Sequence, residues 1–210
     1  AHGGSLFAVI YYFKEDLAEA IKHYDLSSAD SFLNKLIIAS LPIFLVGFIF
    51  RDFVSENLRT LNTIAISTIL FGFILWGANY FSKAHSEKKL VSVRDAFLIG
   101  LAQCFALIPG ASRSAVTIIC ALFLSYSRSV SSKFAFMLAI PTLGVIFISE
   151  LASISFSSFE EGWLNIFLIT FFSFITSYAC ISLFLKFIER VGFMPFVLYR
   201  VILGSFLLLF

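Results

Sequence analysis

The run from Gln103 to Thr117 sets one arginine, Arg113, and three hydroxyls, those of Ser112, Ser114 and Thr117, inside otherwise apolar sequence. An ionisable side chain in membrane-type sequence is expensive and by default marks a functional site. Pro109-Gly110 breaks the helix just before the arginine, and a fresh apolar helix starts just after it. Freed backbone N–H groups, a helix N-terminus, hydroxyls and a guanidinium therefore converge on one point, and that combination suits a phosphate.

Each residue of this set has a functional reading and a plainer one. Arg113 can clamp a phosphate through its forked donors and offset its charge; alternatively it pairs with backbone carbonyls. Ser112 and Ser114 can donate to phosphate oxygens or cap the helix that starts near Ala115. Thr117, one turn further on, can reach the ligand or bond back to its own helix. Gly110 permits a tight turn and close approach of a ligand to the backbone. Gln103, ten residues before Arg113, can face the pocket or pack its amide against a neighbouring helix. Arg200 falls in the last apolar segment, where it must be paired, line a pocket or snorkel to the interface. The expected catalytic set is Arg113, Ser112 and Ser114, with Gly110, Thr117, Gln103 and Arg200 binding substrate. His2, His23 and His85 read as loop or terminus residues with no carboxylate partner at membrane depth, so no general base is assigned. Cys104, Cys120 and Cys180 lie in apolar segments without CxxC or Cys/His spacing, which indicates inert packing rather than zinc or disulfides.

The elements that must position this set belong in lipid. The chain of 210 residues is 60% hydrophobic and only 13% charged, with mean hydropathy +0.96, against about 25% charged residues in soluble domains. A net charge of +2 gives no basic face for nucleic acid. The length therefore reads as one integral membrane domain over residues 1–210, an all-α polytopic bundle of about five to six transmembrane helices. The apolar segments are Gly3–Phe13, Leu36–Phe50, Asn62–Phe81, Ala96–Ile108, Ala115–Tyr126, Phe134–Ile148, Trp163–Leu185 and Phe193–Phe210, and Ile154–Phe159 reads as a loop rich in Phe, Ile and Ser. The start, Ala1, lacks a signal-peptide pattern and looks clipped.

Ala96–Ile108 and Ala115–Tyr126 are each too short to cross, so the pair is either one broken span or a re-entrant hairpin over 96–126. Loop charge separates the two. With a hairpin, one side of the membrane holds Lys14, Lys22, Lys35, Lys83, Lys88, Lys89, Arg94, Arg128, Lys133, Lys186 and Arg190, and the other only Arg51 and Arg59. With a broken span the division is seven against six. Only the hairpin gives the bias expected of cytoplasmic loops, and it places the 82–95 and 127–133 loops in the cytoplasm. Irregular backbone at that depth requires a polar pocket. Such half-helices often come in inverted pairs; here Gly3–Glu15 faintly echoes Met137–Glu150, so the repeat reads as incomplete.

Pro109, Gly110, Ser112, Arg113, Ser114 and Thr117 match, position by position, a Pro-Gly-x-Ser-Arg-Ser-x-x-Thr motif. The chain resembles the bacterial undecaprenyl-diphosphate phosphatases, also known as bacitracin-resistance proteins, whose second motif this is. Support extends through Asp95–Gly100, Ser125–Arg128 with Phe134–Pro141, Phe196–Arg200 and Ala1–Val9, nearly the whole chain. The resemblance implies two interlocked inverted repeats and hydrolysis of undecaprenyl diphosphate to the monophosphate, which recycles the cell-wall lipid carrier and confers bacitracin resistance. It also implies a multi-pass protein of the bacterial cytoplasmic membrane, with its pocket open to the outer side and Arg200 facing that pocket. Its partners are a polyprenyl diphosphate lipid and the bilayer, with no nucleic acid and a homodimer as candidate assembly. A divalent metal, Mg2+ or Ca2+, assists in the family. The family's first motif, an acidic Glu-x-x-x-Glu helix and a Pro-x-Ser-Ser-x-Gly-His turn, has no counterpart in this sequence, so its glutamates, metal ligands and histidine are carried onto no residue. The chain is then either a fragment of a working enzyme or a degenerate copy that binds diphosphate without cleaving it. A rival class, a transporter or flippase for a lipid phosphate or small anion, uses the same broken half-helices.

Overall fold

The computed structural model describes residues 1–25, 28–82, 90–153 and 162–209. Lys83, His85, Glu87, Lys88, Lys89, Glu160, Glu161 and the expected loop Ile154–Phe159 lie outside them.

Among the described residues the chain is helical throughout. The helices are α1 (His2–Tyr12), α2 (Lys14–Lys22), α3 (Phe32–Ile49), α4 (Arg51–Asn57), α5 (Leu61–Phe81), α6 (Val93–Gln103), α7 (Arg113–Phe123), α8 (Arg128–Met137), α9 (Ala139–Ser153), α10 (Trp163–Val191) and α11 (Met194–Leu207). A 3-10 turn, Cys104–Leu107, follows α6. Four stretches are long and apolar enough to cross a bilayer: Phe32–Ile49, Leu61–Phe81, Arg128–Ala152 and Leu164–Val191. The helices of α7 and α11 are shorter and equally apolar. This is an all-α polytopic membrane protein.

Two helices, α2 and α4, lie in segments that read as loops. Charge hides them: α2 carries Glu15 and Asp16 in its first turn and Lys22 in its last, which complements the helix dipole. In α4 the Ser55 and Asn57 side chains donate to the carbonyls of Asp52 and Phe53 one turn back. The span at Arg128–Ala152 is stepped at Leu138, because Pro141 has no N–H for the Met137 carbonyl.

Lipid-embedded helices gain no hydrophobic drive from meeting one another, so they associate where small residues allow close packing. The three largest helix crossings each use a glycine. Gly4 of α1 lies against the α10 backbone at Thr170 and Phe174, Gly100 of α6 against Ala39 of α3, and Gly204 of α11 against Ala65 and Ile69 of α5. Few α10 residues are buried, Ile181 and Ile188 among them, and Phe167, Phe172 and Leu183 stand outward as lipid-facing side chains do.

The helices α6 and α7 pack on one another as a hairpin rather than running end to end. Its feet are tied: the Tyr126 hydroxyl, just after α7, donates to Asp95 Oδ2 at the start of α6 over 2.6 Å. The second arm, α7, is buried on nearly every side and joins two apolar clusters. One cluster centres on Leu36, Ile99, Phe134 and Leu138, the other on Phe71, Leu75, Ile118 and Phe193.

Candidate functional site

The hairpin's tip is a type II turn. The Ala111 N–H donates to the Ile108 carbonyl at 3.1 Å, Pro109 holds the second position, and Gly110 at φ 92 supplies the left-handed third. A Cβ on Gly110 would strike Ser67 Oγ and the Ile64 carbonyl and come within 2.8 Å of Thr68 Oγ1. Ser112 follows at φ 67, a conformation that costs a non-glycine residue energy, and α7 begins at Arg113.

Three successive carbonyls of this turn are held from outside. Ser67 Oγ of α5 donates to the Pro109 carbonyl. Thr68 Oγ1 donates back to the Ile64 carbonyl at 2.6 Å and lies 3.4 Å from the Gly110 carbonyl. Arg200 of α11, only 9% exposed, donates from Nη2 to Gly110 O at 2.6 Å and Ala111 O at 3.0 Å, and from Nε to Thr68 O at 3.3 Å. Arg200 thus neither snorkels nor waits unpaired. With the carbonyls drawn toward α5 and α11, the first-turn N–H groups of α7, from Ser112 to Ala115, find no backbone acceptor among the described residues. They form the positive end of a helix dipole.

Beside this end lies a cavity of about 190 Å³ lined by Ser112, Ser114, Ala115 and Ile118 of the hairpin, Leu75, Phe184, Phe193, Phe196, Tyr199 and Arg200. Ser112 Oγ and Ser114 Oγ are 3.4 Å apart, and neither caps α7. The lining therefore sets two serine hydroxyls and a guanidinium among aromatic and aliphatic side chains. A larger cavity of about 410 Å³ lies between α2, α3 and α8; both of its lysines are paired, Lys133 with Asp16 and Lys35 with Asp30, and Glu19 and His23 also line it.

The expected residues divide accordingly. Ser112, Ser114 and Arg200 meet on one cavity, with Gly110 shaping the turn behind them. Arg113, between the two serines in sequence, is not part of the cavity lining; it is partly buried and without a hydrogen bond or ion pair among the described residues. Thr117 is sealed away, its hydroxyl donating to the carbonyls of Arg113 and Ser114 at 3.0 Å each. Gln103 is fully buried and its amide has no hydrogen-bond partner among the described residues. Sequence reading missed Ser67 and Thr68; their only signal was a hydroxyl pair within an apolar span. It also left His2 without a carboxylate, whereas His2 Nδ1 lies 2.6 Å from Glu150 Oε1 across α1 and α9. The two residues are 148 apart in the chain, beyond the reach of any spacing argument.

Among the described residues no three His, Cys, Asp or Glu side chains gather to hold a metal ion. The turn offers N–H, hydroxyl and guanidinium donors, whereas Mg2+ and Ca2+ demand oxygen ligands, chiefly carboxylates. The residues present at the turn do not fit such an ion.

The site is thus a helix start with free peptide N–H groups at the tip of the α6–α7 hairpin, beside a largely apolar cavity. An undecaprenyl-diphosphatase of Alteromonas mediterranea is 37% identical over 218 aligned positions, which take in 100% of this chain and 81% of that protein. Residues 1–206 match the family described as bacitracin resistance protein BacA, and with nearly the full length matched, the chain belongs to the BacA family.

Proposed function

We propose that this protein hydrolyses undecaprenyl diphosphate to undecaprenyl phosphate and inorganic phosphate. It is a multi-pass protein of the bacterial cytoplasmic membrane, and its substrate class is a polyprenyl diphosphate lipid. The observation that carries the reading is the shared cavity, in which Ser112, Ser114 and Arg200 stand among apolar walls. A prenyl diphosphate has the same division of polarity.

The terminal phosphate seats on the N–H groups at the start of α7, with the Ser112 and Ser114 hydroxyls donating to its oxygens. Arg113, uncommitted and next in sequence to both serines, supplies a fork of donors to the phosphates and offsets charge as the bridging P–O bond lengthens. A water oxygen enters the departing phosphate, and the bridging oxygen stays with the prenyl monophosphate. Arg200 acts from behind, holding the turn's carbonyls away from the anion. Leu75, Phe184 and Phe196 contact the first isoprene units. A homodimer belongs to the same proposal and is read from the mass of the detergent-solubilised protein.

The test is release of inorganic phosphate from undecaprenyl diphosphate by the purified protein in detergent, with Arg113→Ala as control. Phosphate release that Arg113→Ala lowers about 10²-fold or more supports the reading, as loss of a transition-state donor requires. Passage of the lipid across liposomes without phosphate release would sink it in favour of a carrier.

A further inference from the structure

The feet of the hairpin are joined by two helix-end motifs that share one side chain. At the end of α7 the Tyr126 N–H donates to the Ala121 carbonyl at 3.0 Å and the Ser125 N–H to the Leu122 carbonyl at 2.9 Å, with Ser125 left-handed at φ 66. This is a Schellman turn, built here on a serine that bears the steric cost glycine would avoid. The turn drives Tyr126 inward until it is 1% exposed. At the start of α6, Ser92 Oγ accepts the Asp95 N–H at 3.1 Å. In a simple capping box the acidic side chain would return to the Ser92 N–H. Instead the Tyr126 hydroxyl stands between them, accepting from the Ser92 N–H at 3.3 Å and donating to Asp95 Oδ2 at 2.6 Å.

Each arm of the hairpin has 11 helical residues, about 16 Å of rigid rod. A slip of one arm along the other at the feet therefore appears undiminished at the turn. The turn is where misplacement matters, since a shift of about 1 Å costs about 10²-fold in a positioned reaction.

We propose that Tyr126 is a positioning residue, a latch that fixes the register of the two arms and so the depth at which Ser112, Ser114 and Arg200 share their cavity. The proposal rests on the phosphatase reading, so its test includes a readout that does not. Tyr126→Phe keeps the ring and removes both hydroxyl contacts. In that variant kcat for phosphate release from undecaprenyl diphosphate falls about tenfold, the worth of one bond to a charged partner, while KM stays within about twofold of the parent. In a background of Cys120→Ser and Cys180→Ser, Cys104 reports directly, because it sits where the first arm meets the turn. Its labelling by a membrane-permeant maleimide speeds up about tenfold in the same variant. Tyr126→Phe combined with Asp95→Ala is no worse than the worse single change, because both break one latch. Unchanged kcat with unchanged labelling, a KM-only effect, or additive losses in the double variant overturns the latch. Should the parent release no phosphate, the phosphatase reading fails by itself and labelling alone decides: faster Cys104 reaction upholds the latch, and an unchanged rate overturns it.

Discussion

Replacing Arg200 separates two roles that a buried arginine can combine, charge and geometry. Its guanidinium makes three hydrogen bonds, to the carbonyls of Thr68, Gly110 and Ala111. Side-chain hydrogen bonds between membrane helices average about 0.6 kcal/mol in mutant cycles, so the set is worth about 2 kcal/mol. The Ala111 carbonyl belongs to a fully buried residue and, left unpaired, adds a desolvation cost of about 1–3 kcal/mol. Against this, Arg200 has no carboxylate partner among the described residues, and Arg200→Met recovers several kcal/mol, roughly, of buried-charge desolvation. The terms nearly cancel in stability. They do not cancel in geometry, because the turn loses the group that orients two of its carbonyls. The expected outcome is a thermal midpoint close to the parent's with kcat/KM for phosphate release lower by about 10²-fold. Arg200→Lys keeps the charge and loses the fork. It falls nearly as far as Arg200→Met if the clamp is what matters. A lysine variant within twofold of the parent would refute the argument, since charge alone would then suffice.

Gly110→Ala is not accommodated, because φ 92 and the contacts with Ser67, Ile64 and Thr68 leave no space for a Cβ; yield of folded protein in detergent falls sharply, a loss of more than about 1 kcal/mol. Thr117→Val, which removes a hydroxyl committed to its own helix, leaves kcat/KM within about threefold, whereas Ser114→Ala lowers it about tenfold or more; phosphate release by the two variants measured side by side checks the contrast. Ser125→Gly relieves the left-handed strain before Tyr126 and raises stability by about 1 kcal/mol, read as a higher thermal midpoint. Burial first, then the hydrogen bond to Asp95, pushes the Tyr126 phenol above its ordinary value. A folded pKa above the unfolded one gives stability that is intact below about pH 10 and is lost as pH rises through the folded pKa. The midpoint of the parent therefore falls more steeply above pH 10 than that of Tyr126→Phe.

The hairpin was legible because its two signals are independent. Pro109-Gly110 forces a break whatever surrounds it, and the basic residues assign sides only if the chain turns back. Apolar runs located the crossing helices to within about two turns, while α2 and α4 were hidden by the charges that stabilise their ends. At the site, residue type announced Ser112, Arg113 and Ser114 but could not say which would line the cavity. Arg200 grips peptide carbonyls, and carbonyls carry no signature in a sequence. Ser67 and Thr68 were silent for a related reason, since most hydroxyls in membrane helices bond back to their own turn. Thr117 does so, and nothing in its spacing distinguished it from the two serines.

The turn whose carbonyls are all led away has a consequence for the crowded setting of a bilayer. Phospholipid head groups vastly outnumber any carrier lipid, and many bear an ammonium beside their phosphodiester. Among the described residues the mouth's lining holds no carboxylate to balance an ammonium, only hydroxyl oxygens and ring faces, and a diester is blocked by carbon on both sides. Such a mouth favours a rare guest ending in a free phosphate over the bulk lipid around it.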